Sequence, residues 1–346
     1  MNAPAEIVSL LGALVPPLAG AAFAWARPGE APAFAIRAAP GLALTPDTLW
    51  RAASLSKTVT ARTLAAVGGP AVWARDASDA LGWRLRHPLH PAAPITLGAI
   101  ACHAASLSDA AGYAVPAATP LREWLAEPAC WLPHPPGTRL AYANLGSLLL
   151  AAAAERLGGD RFDRLARRHV LDPLGIEGGF QWSGVPPRRR RDRMAPLRRD
   201  AAGFHPQADA EVPSDGPMAP GGGPLPPLLP PGANPAPLSP QGGLRLSLRG
   251  ALRLARSARE QPAWTRLPGD AMLAGGTAPG LVRLDDPALF PRPLRGHFAD
   301  AYGLLAGAWT DGALAFAYVL NGLEVGDGGD GWREAERALF AQAAAL

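Results

Sequence analysis

Two apolar runs flank Thr310-Asp311-Gly312 in "GLLAGAWTDGALAFAYVLNGL", residues 303 to 323, and the pattern predicts a β-hairpin near the C-terminus. Downstream, "WREAERALFAQAAAL" spaces its apolar residues as one face of an amphipathic helix. At the opposite end an apolar segment interrupted by Pro16-Pro17 reads as a short helix and a turn. It leads into "GAAFAWA" and "APAFAIRAA", which pair as strands across Arg27-Pro28-Gly29. "SLSKTVTARTLAAV", residues 54 to 67, predicts a helix ended by Gly68 and Gly69. A second apolar helix follows the Pro136-Gly137 turn and closes on Gly158-Gly159. The middle of the chain reads as mainly helical. Residues 205 to 243 are too crowded with proline and glycine to form a regular element, and serve either as a lid over a pocket or as a surface connection.

Composition changes this picture little. The 346 residues are 48% hydrophobic and 18% charged, which describes a globular chain of one large domain or two. The net charge of +4 is modest and concentrates in "PPRRRRDRMAPLRR", residues 186 to 199. No aromatic residues interleave with these arginines, so the run predicts a solvated loop or helix end and no nucleic-acid partner is assigned. Cys102 and Cys130 form neither a disulfide framework nor a metal-ligand pattern, although a single disulfide between them stays open. No stretch beyond the N-terminal one is long and apolar enough to span a membrane. That N-terminal run carries no Lys or Arg before Ala22, unlike an export signal, so the expected compartment is the cytoplasm, with the periplasm as alternative.

Candidate chemistry begins at Lys57, the only lysine among 33 basic Lys and Arg residues. Arginine stays protonated in proteins, whereas a lysine amine loses its proton when its surroundings lower its pKa. Ser54 lies three residues earlier, on the same helical face. A serine hydroxyl needs a neighbouring base to become a nucleophile, and a desolvated lysine is one. Farther along, Tyr142-Ala143-Asn144 offers a phenol whose pKa a lysine ammonium would lower, and a carboxamide able to hold a substrate or Lys57. Taken alone, that pair is equally read as a core-capping tyrosine with an asparagine in a turn. His87 and His90 sit among prolines without a third ligand and read as exposed loop histidines. Nucleophile elbow, P-loop and dinucleotide fingerprint are all missing from the sequence.

S-x-x-K followed by Y-A-N after P-G-T resembles the serine β-lactamase and penicillin-binding-protein superfamily, above all class C β-lactamases and the related esterases and D-aminopeptidases. "LTPDTLWRAASLSKTVTA", "APITLGAIACHAASLSDAAGY", "LDPLGI", "SPQGGLRLSLRGALRLAR" and "GHFADAYGLLAG" continue the likeness in the family's order. The resemblance implies an α/β (α+β) fold of the β-lactamase/transpeptidase-like class: an antiparallel sheet flanked by helices, with an inserted mainly helical region. The sheet region would comprise residues 1–68 and 235–346 and the insertion residues 69–234, together one catalytic unit. By the same resemblance His103 is a packing residue.

The family's third motif, K-T-G or H-T-G, corresponds here to His297-Phe298-Ala299. Phenylalanine and alanine supply neither the hydroxyl that binds a substrate carboxylate nor the glycine, which favours a neutral ester or amide. The reading is a serine hydrolase that forms an acyl-enzyme on Ser54, with Lys57 and Tyr142 sharing the proton and the choice of base left open. Asn144, His297, Phe298, Ala299 and Asp300 would bind substrate, with the Asp300 N–H in the oxyanion hole. No metal or cofactor is implied, the partner is a small-molecule ester or amide, and the oligomeric state stays open. The alternatives are a D-amino acid peptidase or amidase, a β-lactamase, and an inactive binding protein of the same fold.

Overall fold

A computed structural model describes residues 4–15, 17–207, 227–324 and 332–346. The central sheet has seven strands: β1 (Gly20–Ala26), β2 (Ala33–Ala38), β8 (Thr277–Ala278), β9 (Leu281–Leu284), β10 (Leu294–Ala301), β11 (Leu304–Thr310) and β12 (Ala315–Asn321). Its order is β2-β1-β12-β11-β10-β9-β8, antiparallel throughout. Both hairpins expected from the sequence are present, and β1 joins them by pairing with β12 from Gly20↔Asn321 to Ala26↔Ala315.

All seven residues of β1 are buried because both faces of the sheet are covered. Ala22, Ala24 and Ala26 point to one core, shared with helix α8 (Leu248–Arg256). Phe23 and Trp25 point to the other, which the terminal helices α1 (Ala5–Leu14) and α9 (Glu334–Ala345) cover. A third core lies among the helices of the middle region. It joins α2 (Ser56–Gly68), α3 (Ala77–Leu81), α4 (Leu97–Ala101), α5 (Leu121–Trp124) and α6 (Leu145–Gly158), and α7 (Phe162–Ala166) packs on α6. Gly69 ends α2 and Gly159 ends α6 at φ of 74° and 66°, where an L side chain would be strained.

Two small sheets went unpredicted. One joins β3 (Trp50–Arg51), β7 (Leu244–Leu246) and β4 (Gly179–Phe180); the other joins β13 (Leu323–Glu324), β5 (Leu197–Asp200) and β6 (Gly203–Pro206). Other expectations need correcting. His87 is not exposed: it is fully buried, one ring nitrogen bonded to the Leu132 carbonyl and the other accepting from the Leu89 N–H. The arginine run is not solvated throughout, since Arg190 is buried with its Nε–H donating to the Val185 carbonyl and Arg189 pairs with Glu177 and Asp192. Cys102 and Cys130 are both buried and free, so no disulfide joins them. Among the described residues no helix is long and apolar enough to cross a membrane. Residues 208–226 of the Pro/Gly-rich segment lie outside the described residues.

Candidate active site

The turn that carries Ser54 is a single 3₁₀ segment, Ala53–Leu55, set directly before α2. Ala53 holds φ at 42°, a left-handed value that costs a residue with a Cβ about 1–2 kcal/mol. His103, Ser239 and Tyr302 also hold positive φ, and all four surround the same cleft or its floor, where such strain concentrates in working sites.

Lys57 follows one turn later, only 4% exposed. Its Nζ donates to Ser54 Oγ at 3.0 Å, Asn144 Oδ1 at 2.7 Å and the Gln241 carbonyl at 3.2 Å. Burial pulls its pKa from 10.5 down to about 7, with the negative charge of Asp109 pulling in the opposite sense. At pH 7 the amine is therefore present in substantial fraction as a neutral base.

The Tyr142 hydroxyl donates to Ser54 Oγ at 2.8 Å, and Lys57 Nζ stands 4.7 Å above the phenol ring. The expectation that the ammonium would lower the phenol pKa is reversed: enclosure among protein atoms pushes it well above its ordinary value, outweighing the hydrogen bond to Ser54. Tyr142 is thus a proton donor in this arrangement. His103 stacks on it at 4.5 Å and accepts the Ala143 N–H on Nδ1, which fixes the ring in place.

Asn144 opens α6, and its orientation is set by Asp109. The carboxylate accepts from the Asn144 and Leu145 backbone N–H groups and from Asn144 Nδ2 at 2.9 Å. With Nδ2 so held, Oδ1 must face Lys57. Asp109 and Gln241 were not singled out from the sequence; each acts on a partner 35 or 184 residues away, and no local spacing announces it.

The cleft above Ser54 has a volume of about 490 Å³. Ser54, Tyr142, Asn144 and Gln241 line it together with Tyr113, Phe298, Tyr302, Arg51, Arg198 and Asp300. Gln241 Oε1 is buried behind this wall with no hydrogen-bond partner among the described residues. Of the four strand residues expected to bind substrate, Phe298 and Asp300 line the cleft; His297 and Ala299 do not. His297 lies beneath Lys57, walling a small buried cavity with His103 and Ser147. Its Nδ1 bonds the Phe298 carbonyl at 2.6 Å, and burial drives its pKa to about 3, so it is neutral and no general acid. Residues of the Pro/Gly-rich segment, Ala236 to Gly242, form part of the cleft wall. Among the described residues no group of three or more His, Cys, Asp or Glu side chains could hold a metal ion.

Residues 18–339 match the family described as Beta-lactamase. Comparison with curated protein sequences returns no match. Among solved structures, the D-amino acid amidase from Ochrobactrum anthropi SV3 in complex with L-phenylalanine is similar at a TM-score of 0.71 and 14% identity, over 98% of this chain and 97% of that one. A D-stereospecific amidohydrolase from Streptomyces sp. is similar at 0.70 and 15%, over 100% of both chains. SurE is similar at 0.68 and 21%, over 91% of this chain and 71% of the other. At these identities the likeness concerns the fold.

Proposed function

The chain belongs to the beta-lactamase family, and from that premise of a serine hydrolase we propose that it forms an acyl-enzyme on Ser54 and hydrolyses a small ester or amide. The observation that carries this reading is the surroundings of Lys57 Nζ. When the amine is neutral, its two hydrogens serve Asn144 Oδ1 and the Gln241 carbonyl, which leaves the lone pair aimed at Ser54 Oγ.

Lys57 takes the Ser54 proton as Oγ attacks the carbonyl carbon, and Tyr142 keeps its hydrogen bond to that oxygen. When the tetrahedral adduct collapses, the proton held by Lys57 passes to the leaving alkoxide or amine, with the Tyr142 hydroxyl beside its path. Water then attacks the acyl carbon under the same base and releases the acid. The Ser54 and Asp300 backbone N–H groups form the oxyanion hole in this scheme, and loss of one such donor costs about 10²–10³ in kcat. Phe298 gives the substrate an apolar wall where a carboxylate-binding hydroxyl would favour a charged substrate. Both chain regions contribute, Ser54 and Lys57 from residues 1–68 and Tyr142 and Asn144 from residues 69–234, which supports one catalytic unit.

A second reading, an amidase for D-amino acid amides, is favoured by the exposed Asp300 carboxylate on the cleft wall, which Arg333 engages at 3.4 Å through one oxygen and whose other oxygen is open to a substrate ammonium. The names of the amidase and amidohydrolase of the same fold agree with it.

Intact-protein mass spectrometry after exposure to a fluorophosphonate probe, with p-nitrophenyl acetate turnover in parallel, tests the first reading. The expected result is one adduct on the wild type and none on Ser54→Ala, with turnover lost in Lys57→Arg. An unlabelled and inactive wild type would leave the fold as a binding protein. Hydrolysis of D-phenylalanine amide in preference to its L enantiomer would decide for the second reading, and recovery from the periplasm would favour a peptidase.

A further inference from the structure

A cavity of about 690 Å³, larger than the catalytic cleft, opens on the other side of α2 and shares no lining residue with the cleft. Its charge is one-sided. Arg62, Arg256, Arg259 and Arg295 line it against a single carboxylate, Glu260. Glu260 is already engaged by Arg295, Arg283 and the Trp264 indole N–H.

Arg62 sits at the floor. Its only hydrogen bond among the described residues goes to the neutral Ser257 hydroxyl, and it has no ion pair there. Burial pushes its pKa down to about 10, and the positive charge of Arg259 pushes the same way. A sheltered cation crowded by a like charge is unfavourable unless an anion compensates it. Arg256 and Arg259 stand exposed with no side-chain partner among the described residues. Arginines elsewhere in the chain do find carboxylates: Arg86 on Asp76, Arg161 on Asp163, Arg249 on Asp47. An arginine-rich composition therefore does not by itself account for this cluster. A smaller cavity of about 210 Å³ continues from it and reaches the same Arg62, Ser257 and Arg259.

We propose that this cavity is a second binding site, separate from Ser54, for a small polyanion carrying phosphate or carboxylate groups. Planar guanidinium forks pair with either group through two parallel N–H donors. Arg62 takes the buried end of the ligand, while Arg256 and Arg259 hold the outer charge at the mouth. The volume falls within the range of small-molecule sites. Arg62 lies eight residues beyond Ser54, roughly 12 Å along the helix axis, so the ligand is not the one being hydrolysed.

Isothermal titration calorimetry of the full chain at fixed ionic strength tests this, with inorganic pyrophosphate in one arm and tricarballylate in the other. One saturable site is expected for at least one probe, and the stronger arm tells phosphate from carboxylate recognition. Arg256→Gln with Arg259→Gln should weaken it at least tenfold while p-nitrophenyl acetate turnover stays unchanged, because both side chains are exposed and far from Ser54. Arg62→Gln should abolish it. A control replacing exposed arginines elsewhere, Arg122→Gln with Arg191→Gln, should leave the affinity intact. No saturable binding of either probe would overturn the proposal. So would affinity that survives the first double variant, or that falls equally in the control.

Discussion

At the scale of single residues, Lys57 and Asp109 set the chemistry against each other. Burial makes the amine a base near neutrality, so kcat/KM should rise as pH climbs through about 7 and flatten above it, which a pH–rate profile with a neutral ester will read. Asp109→Asn keeps an acceptor for the backbone N–H groups but removes the charge that raises the Lys57 pKa. The acid limb should then move below 7, and the loosened Asn144 should lower kcat about tenfold. An unmoved limb would mean that Asp109 acts only as a helix cap. Ser54, Lys57, Tyr142 and Asn144 were legible because their spacings are short and their neighbours fit a family's order. The four consecutive strand residues named as substrate-binding divide between two sides for a geometric reason. Successive side chains on a strand face opposite ways, so Phe298 and Asp300 reach the cleft while His297 and Ala299 turn to the core side.

At the scale of elements, α2 is held by contacts along its whole length. Gly280, between β8 and β9, accepts the Thr58 hydroxyl on its carbonyl at 2.7 Å. A Cβ built there would stand 2.6 Å from Ala61 Cβ and 3.0 Å from the Lys57 carbonyl, at a φ of 70°. Gly280→Ala should therefore cost about 2 kcal/mol or more by urea titration, and lower turnover by shifting the helix that carries Lys57. Leu148 on α6, 0% exposed, offers the contrast. Leu148→Ala should cost about 2–5 kcal/mol yet leave the acid limb of the pH profile near 7, since a core cavity does not alter the surroundings of the amine. Helices and hairpins were readable from period and turn chemistry. The two small sheets were not, because strands of two to four residues carry no period to read.

For the molecule as a whole, two sheltered imidazoles beside the active site tie stability to acidity, and the buried His87 ring adds in the same sense. His297 is neutral down to about pH 3 in the fold, and burial lowers His103 as well. Both would bind a proton near 6.5 in the unfolded chain, so the unfolded state takes up protons first as pH falls. Stability contributed by these neutral rings is fully present above 6.5 and drains away between there and about 3. Thermal unfolding followed across that window should show a falling midpoint, and His297→Phe should flatten the fall; an equal slope in that variant would reject the assignment.

The pairing of β1 with β12 has a further consequence for how the chain is made. Gly20 leaves the ribosome about 300 residues ahead of its partner Asn321, which at ordinary synthesis rates is roughly 15–60 s. Throughout that interval "GAAFAWA", apolar along its length, has only β2 as a strand partner and one sheet edge unpaired. Nascent chains stalled before Ala315 should remain open to protease, and should be the species that holding chaperones capture.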